Sequence, residues 1–347
     1  PHRGASSVAT APPPGDGRDE GGGGAPTAAG AANRTEQGPL PDAAPPPLGL
    51  DDVFFGNASV AGETADLRYA FSLPDEAQDF EPPLPEKRSK REKALRSYLE
   101  GLPRSPPRRF RGLSPWSVQH GQLYVDGWGR RRLVAPFRAD APLRVEAEAV
   151  GARNLAVGLT NQGRRFLVVL GYALPLLAVA QAPPGVSAAW RTEVAKAGRR
   201  ARERGPTLAV LRERGAFLHD ELFLRRVRPR RGRNTLAFEL DSAGQGKERR
   251  TTLRLRFGRR YLPVQLPAFA GRVELWVVAL GTPYGLDELR VSGRLASDFL
   301  ERARKAVAAA ASRADLARWR KADFASRRKA AEEALKPKAP VDPALGR

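Results

Sequence analysis

Apolar and polar residues alternate along much of this chain with the two-residue period of a half-buried strand. In LRYAFSL, Leu67, Tyr69, Phe71 and Leu73 alternate with small or polar residues. Leu143, Val145, Ala147 and Ala149 alternate with Arg144, Glu146 and Glu148, and Leu155, Val157 and Leu159 repeat the pattern. Trp116 and Val118, then Leu123 and Val125, flank an HGQ turn. From Thr207 onward come LAVLRERG, LFLRRVRP, NTLAFEL, TTLRLRF, VELWVVAL and DELRVSG, separated by turns rich in Gly, Asp and Arg. This pattern predicts an antiparallel meander in which the strands near Leu67 and Gly293 are neighbours.

Other stretches break the period. Residues 1–50 are rich in Pro, Gly and Ala, with GGGG at Gly21 and PPP at Pro45, and predict a disordered arm. Folded sequence is expected from Val53 to Leu295, with a basic insertion at 83–112 that holds a short helix over Ser89–Glu100. The run Phe166–Ala182 is the most apolar in the chain, but it is short for a spanning helix. Gly171 and Pro175 divide it, so it reads as two buried strands joined by a turn. Ser187 as N-cap and Gly205 as stop predict a basic helix near 187–204. Residues 297–336, with Leu300, Val307, Leu316, Trp319 and Phe324 loosely at helical spacing, predict one or two surface helices.

Composition narrows the chemistry. The chain has 347 residues and a hydrophobic content of 41%, enough for a sizeable core. With no Cys, a disulfide framework, a thiolate metal site and a Cys nucleophile are all excluded. The chain opens at Pro1 and contains no Met, which reads as a processed form of a longer product; sequons stand at Asn33 and Asn57. The formal net charge of +21 favours polyanions or anionic surfaces.

The order of motifs is a YxF strand, Asp79–Phe80, WSVQHGQLYVDG around Trp116, a long meander and a closing GLDELRVSG at Gly285. It resembles the concanavalin A-like (laminin G-like) jelly-roll superfamily, in particular bacterial domains of the 3-keto-disaccharide hydrolase type. The resemblance spans roughly Leu67 to Leu295 and implies an antiparallel β-sandwich outside the cytoplasm. Most of its motif residues are core and turn residues: Trp116 and Leu123 between the sheets, Gly121 in a tight turn. GRNTLAFEL, at Gly232–Leu240, also looks like a strand of galactose-binding-type sandwiches.

Within that frame, Asp126 and Trp128 of DGWG form a sugar-stacking candidate, since an aromatic face packs on pyranose C–H groups while a carboxylate binds hydroxyls; Arg130 follows them. The alternative is a Trp128 that caps the core. In LRLRF, Arg254 and Arg256 share one face, with Arg259 in the next turn, so these three are candidates for a polyanionic ligand. Only Tyr261 lies close enough to stack a base, which disfavours nucleic acid. Glu146 and Glu148 share a face as glycosidase carboxylates do, but any solvent-facing strand offers the same pair. His219, Asp220 and Glu221 are adjacent and read as a polar turn rather than a metal site. The expectation is a non-catalytic recognition or adhesion module for carbohydrate or another polyanionic surface component, needing no cofactor. Glycoside cleavage and cytoplasmic nucleic-acid binding are the alternatives.

Overall fold

The structure is a computed structural model, and it describes residues 47–87, 90, 93, 97, 111–150, 154–171, 192, 205–213, 219–227, 232–244 and 249–336. The first part of the described chain holds β1 (Asn57–Ala61), β2 (Thr64–Tyr69) and β3 (Phe80–Glu81), with 3-10 turns at Leu50–Val53 and Pro74–Asp79. Then follow β4 (Val118–Gln119), β5 (Gln122–Val125), β6 (Arg130–Leu133), β7 (Phe137–Arg138), β8 (Leu143–Val150), β9 (Asn154–Asn161) and β10 (Arg164–Gly171). The later strands are β11 (Thr207–Glu213), β12 (His219–Arg226), β13 (Arg233–Ala243), β14 (Arg250–Phe257), β15 (Arg260–Leu266), β16 (Arg272–Val278) and β17 (Tyr284–Arg294). Two helices close the described chain, α1 (Ser297–Ala309) and α2 (Arg313–Leu335).

The strands form two antiparallel sheets. Sheet A has the order β1-β2-β17-β8-β13-β14-β15, with β5 on β17 and β4 on β5. Sheet B has the order β12-β11-β10-β9-β16-β6-β3, with β7 on β16. The chain passes repeatedly between the sheets, the winding of a jelly-roll sandwich, so residues distant in sequence meet in one core. That core includes Leu67, Tyr69, Leu123, Val145, Val157, Phe166, Phe238, Leu253, Leu275 and Val291, each almost fully buried. Each such aliphatic or aromatic side chain contributes about 1.5–3 kcal/mol through burial.

The expected neighbouring ends are present: β17 pairs with β2 through Val291 opposite Leu67 and Leu289 opposite Tyr69. The HGQ turn is also as read, with His120 and Gly121 both at positive φ, the geometry of a two-residue hairpin loop.

Three details differ from the sequence pattern. The first strand is preceded by a further one, β1, joined to β2 through Gly62 at φ 66°. Alternation promised a strand to Leu73, but β2 stops at Tyr69, Phe71 turns to φ 51° and Leu73 is exposed. Buried Glu76 explains the stop, because its carboxylate accepts hydrogen bonds from the amides of Phe71, Ser72 and Leu73 at 2.9–3.1 Å. Those amides are thereby lost to a sheet ladder. Finally, His219–Glu221 is not a turn but the start of strand β12, where Asp220 pairs with Arg212.

Of the helix expected over 89–100, Lys90, Lys93 and Ser97 are described and helical; of that near 187–204, Thr192 alone is described, also helical. The first half of the apolar run at Phe166 is β10, flanked by β9 and β11. Its second half, like the expected arm up to Pro46, lies outside the described residues.

The two C-terminal helices are fastened to the sandwich by ion pairs. Arg320 of α2, 7% exposed, pairs with the fully buried Asp79 and donates to the Gln78 carbonyl at 2.8 Å. The other oxygen of Asp79 accepts from the amides of Phe55 (2.9 Å) and Gly56 (3.1 Å). Burial pushes the Asp79 carboxyl above its ordinary range, against the opposing pull of Arg320 and the two amides. Burial and the neighbouring Asp79 likewise raise the Tyr69 phenol. Arg327 pairs with Glu81 at 2.6 Å, and Arg302 of α1 with Asp323 of α2 at 3.0 Å.

Candidate functional site

The two sheets present opposite kinds of outer face. On sheet A every second residue points away from the core, and these residues carry both signs of charge. Arg256 reaches Glu146 at 3.3 Å, past Ala237, which stands opposite Glu146 on the intervening strand β13. Arg144 pairs with Glu239 at 3.2 Å, and Arg254 lies 3.6 Å from Asp241 and 4.0 Å from Glu239. Glu288 accepts from Arg68 at 2.5 Å and from Arg290 at 2.8 Å, and these hydrogen bonds hold its carboxyl below the usual range. Arg233 pairs with Asp287 at 2.6 Å. The arginines of LRLRF do line an exposed sheet face, and Glu146 and Glu148 share it, but the two sets neutralise one another.

Sheet B differs. Its strands are apolar on both sides: Leu155, Val157, Val168, Val210 and Val277 enter the main core, while Ala156, Leu167, Val169, Ala209, Leu211, Trp276, Val278 and Leu280 form a second buried cluster on the outer side. The register sets these residues in rows. One row runs Arg130–Val278–Ala156–Val169–Ala209. The next runs Arg132–Trp276–Gly158–Leu167–Leu211. Gly158 in the centre allows close approach, because a Cβ there would stand 3.2 Å from both Trp276 and Val278 and press on them.

Charged side chains close over this apolar bed. Arg130 lies 4.9 Å above the Trp276 ring and divides its guanidinium between Glu86 and Glu213, each at 3.3 Å. Arg165 also pairs with Glu86 and stands 3.9 Å from Glu213. Two guanidinia and two carboxylates thus converge from β6, β10, β11 and the segment after β3. Beneath Arg130 the Trp276 indole N–H is buried without a hydrogen-bond partner among the described residues, as is the Asn154 carbonyl oxygen farther along β9, on the face shared with Ala156. At the next position along, Arg132, 5% exposed, is held between Glu81 (2.9 Å) and Glu274 (2.8 Å).

The candidate residues from DGWG sit at the end of this face. Asp126 is buried and accepts from the Tyr124 hydroxyl (2.8 Å) and the Gly127 amide (2.6 Å), so its carboxylate shapes the loop. Trp128 is half-buried, and its ring covers Gly281, where any side chain would collide with it. Backbone bonds from Ala279 to Gly129 and from Gly281 to Gly127, both 2.8 Å, continue the β6–β16 ladder through the loop. Trp128 and Arg130 therefore lie together on sheet B, whereas Arg254 and Arg256 lie on sheet A and Arg259 in the turn after β14. The six candidates form two groups, not one site. Glu86, Arg165, Glu213 and Trp276 went unnoticed in the sequence; the available signal was VELWVVAL, too apolar for a strand with one solvent face.

No family model matches the chain, and no curated protein matches it. Several solved structures are similar. The Emp46p carbohydrate recognition domain in its metal-free form is 9% identical, over 56% of this chain and 93% of that one, with a TM-score of 0.30. The VIP36 exoplasmic/lumenal domain in its Ca2+/Man-bound form is 11% identical, over 54% and 88%, with a TM-score of 0.28. A structure from work on endo-acting O-glycanases of the human gut microbiota is 10% identical, over 67% and 99%, with a TM-score of 0.25. With scores this low, the function rests on the residues of the chain itself.

Proposed function

We propose that this chain is a recognition module of the extracytoplasmic space that binds carbohydrate at the outer face of sheet B. The observation that carries the reading is Arg130, stacked on Trp276 and shared between Glu86 and Glu213. Planar guanidinia and carboxylates side by side supply directional donors and acceptors in pairs, as vicinal hydroxyls require. Trp128 adds an aromatic face at the same end of the sheet. A polyanion held through Arg254 and Arg256 is less well supported, since both already face carboxylates. One observation favours the glycoside-cleaving alternative of the 3-keto-disaccharide hydrolase type: Glu86 and Glu213 reach the same guanidinium, so two carboxylates stand close together on this face.

A glycan array probed with the wild type, Trp128→Ala and Arg254→Gln/Arg256→Gln tests the binding reading. The wild type and the double variant should give the same pattern, and Trp128→Ala should lose it. Equal signals from all three proteins would remove sheet B as the binding face.

A further inference from the structure

A second cleft, of about 350 Å³, lies where α2 crosses the sandwich beside β3 and the β4–β5 hairpin. Phe55, Phe80, Trp116 and Phe324 give it aromatic walls, and Arg131, Arg320 and Lys321 also line it. Two of these cations differ in kind. Arg320 is paired with Asp79 and lies 4.4 Å from the Phe55 ring. Arg131 extends from β6 on the side opposite Arg130 and Arg132, at the height of core residue Val277. Its guanidinium is half-buried, 5.7 Å from the Trp116 ring, and no carboxylate pairs with it among the described residues; Glu81, which also lines the cleft, is held by Arg132 and Arg327. Desolvation accordingly lowers its affinity for the proton.

A guanidinium withdrawn from water without a counter-charge destabilises the protein that carries it. Trp116 adds a second cost, because its backbone is held at φ 65°, sparsely populated by bulky residues, by a 2.7 Å bond from its amide to the Tyr124 carbonyl. By contrast, the larger cleft of about 680 Å³ on the other side of Phe55 is lined by Asp52 and Glu76, which are already engaged by Arg313 and by backbone amides. We propose that the cleft between Trp116, Arg131 and Phe324 binds an organic carboxylate, its acid group on Arg131 and its apolar or ring-shaped body between the aromatic walls. The volume suits a small ligand, and the site is separate from the outer face of sheet B.

Benzoate and its neutral analogue benzamide are the probes, titrated calorimetrically against the full chain in low-chloride buffer. Benzoate should bind saturably and about tenfold or more tightly than benzamide, the margin expected of a charge-assisted pair. Arg131→Met should abolish that preference and, without ligand, raise Tm by about 2 °C, because it removes the unpaired charge. Equal binding of the two probes, failure of benzoate to bind, or unchanged preference in Arg131→Met would each overturn the assignment. So would a fall in Tm for that variant, which would make Arg131 a structural residue.

Discussion

The outer face of sheet A and that of sheet B are built from strands of the same sandwich yet solve different problems. Sheet A meets water directly, so many of its outward residues are charged, and both signs pair along and across its strands. Exposed pairs of this kind contribute little each and are weakened by salt. The outer side of sheet B is apolar, capped by a few charges that are half-buried and linked. There a lost side chain leaves a cavity or an unpaired charge. The same kind of residue, an arginine on a strand, is therefore nearly dispensable on one face and costly to remove on the other.

Substitutions can break this comparison, the largest effect first. Trp276→Ala should destabilise the protein by about 3–5 kcal/mol, the range for aromatic truncation in a packed cluster, read from urea unfolding. A loss below about 1 kcal/mol would mean that the cluster on sheet B is loosely packed. Arg132→Ala comes next, at about 2 kcal/mol, because Glu81 and Glu274 would lose their shared partner and keep only Arg327 and Arg272.

Acid titration should show a smaller effect. Hydrogen bonding to Arg138 draws the Asp140 carboxyl down to about 2, below its unfolded value. Its contribution is thus full above the ordinary carboxylate range and is lost as pH falls towards 2. Asp140 is exposed and Arg138 partly so, and screening keeps this below about 1 kcal/mol. Arg138→Gln should flatten that part of the plot of Tm against pH. The least effect is expected from Arg256→Ala and Glu146→Ala, whose double-mutant cycle should give a coupling of about 0.5 kcal/mol or less that disappears in 1 M salt.

Much of sheet A could be read in the chain because a strand with one wet face writes its orientation into a two-residue alternation. Leu143–Val150 and Thr251–Arg256 show it plainly, and the β2–β17 pairing follows from the matching patterns at Leu67 and Val291. Sheet B could not be read this way. When both sides of a strand are covered, as in Leu275–Val278, alternation vanishes, and nothing local says which residue faces which layer. Charge partners were also out of reach: Arg130 meets Glu213 across 83 positions and Arg132 meets Glu274 across 142. The early end of β2 turned on Glu76, a carboxylate whose effect depends on three amides that its position in the sequence does not flag.

The pairing of Asp79 with Arg320 has a consequence in time. The two residues are among the first and last parts of the folded chain to leave a ribosome, since α2 follows every strand. Until α2 is made, the carboxylates of Asp79 and Glu81 lack Arg320 and Arg327, and β17 has only just arrived to seal β2 against β8. Contacts spanning such distances slow folding. The sandwich is therefore expected to mature only once α2 has emerged, with β2 waiting as an open edge for its partner.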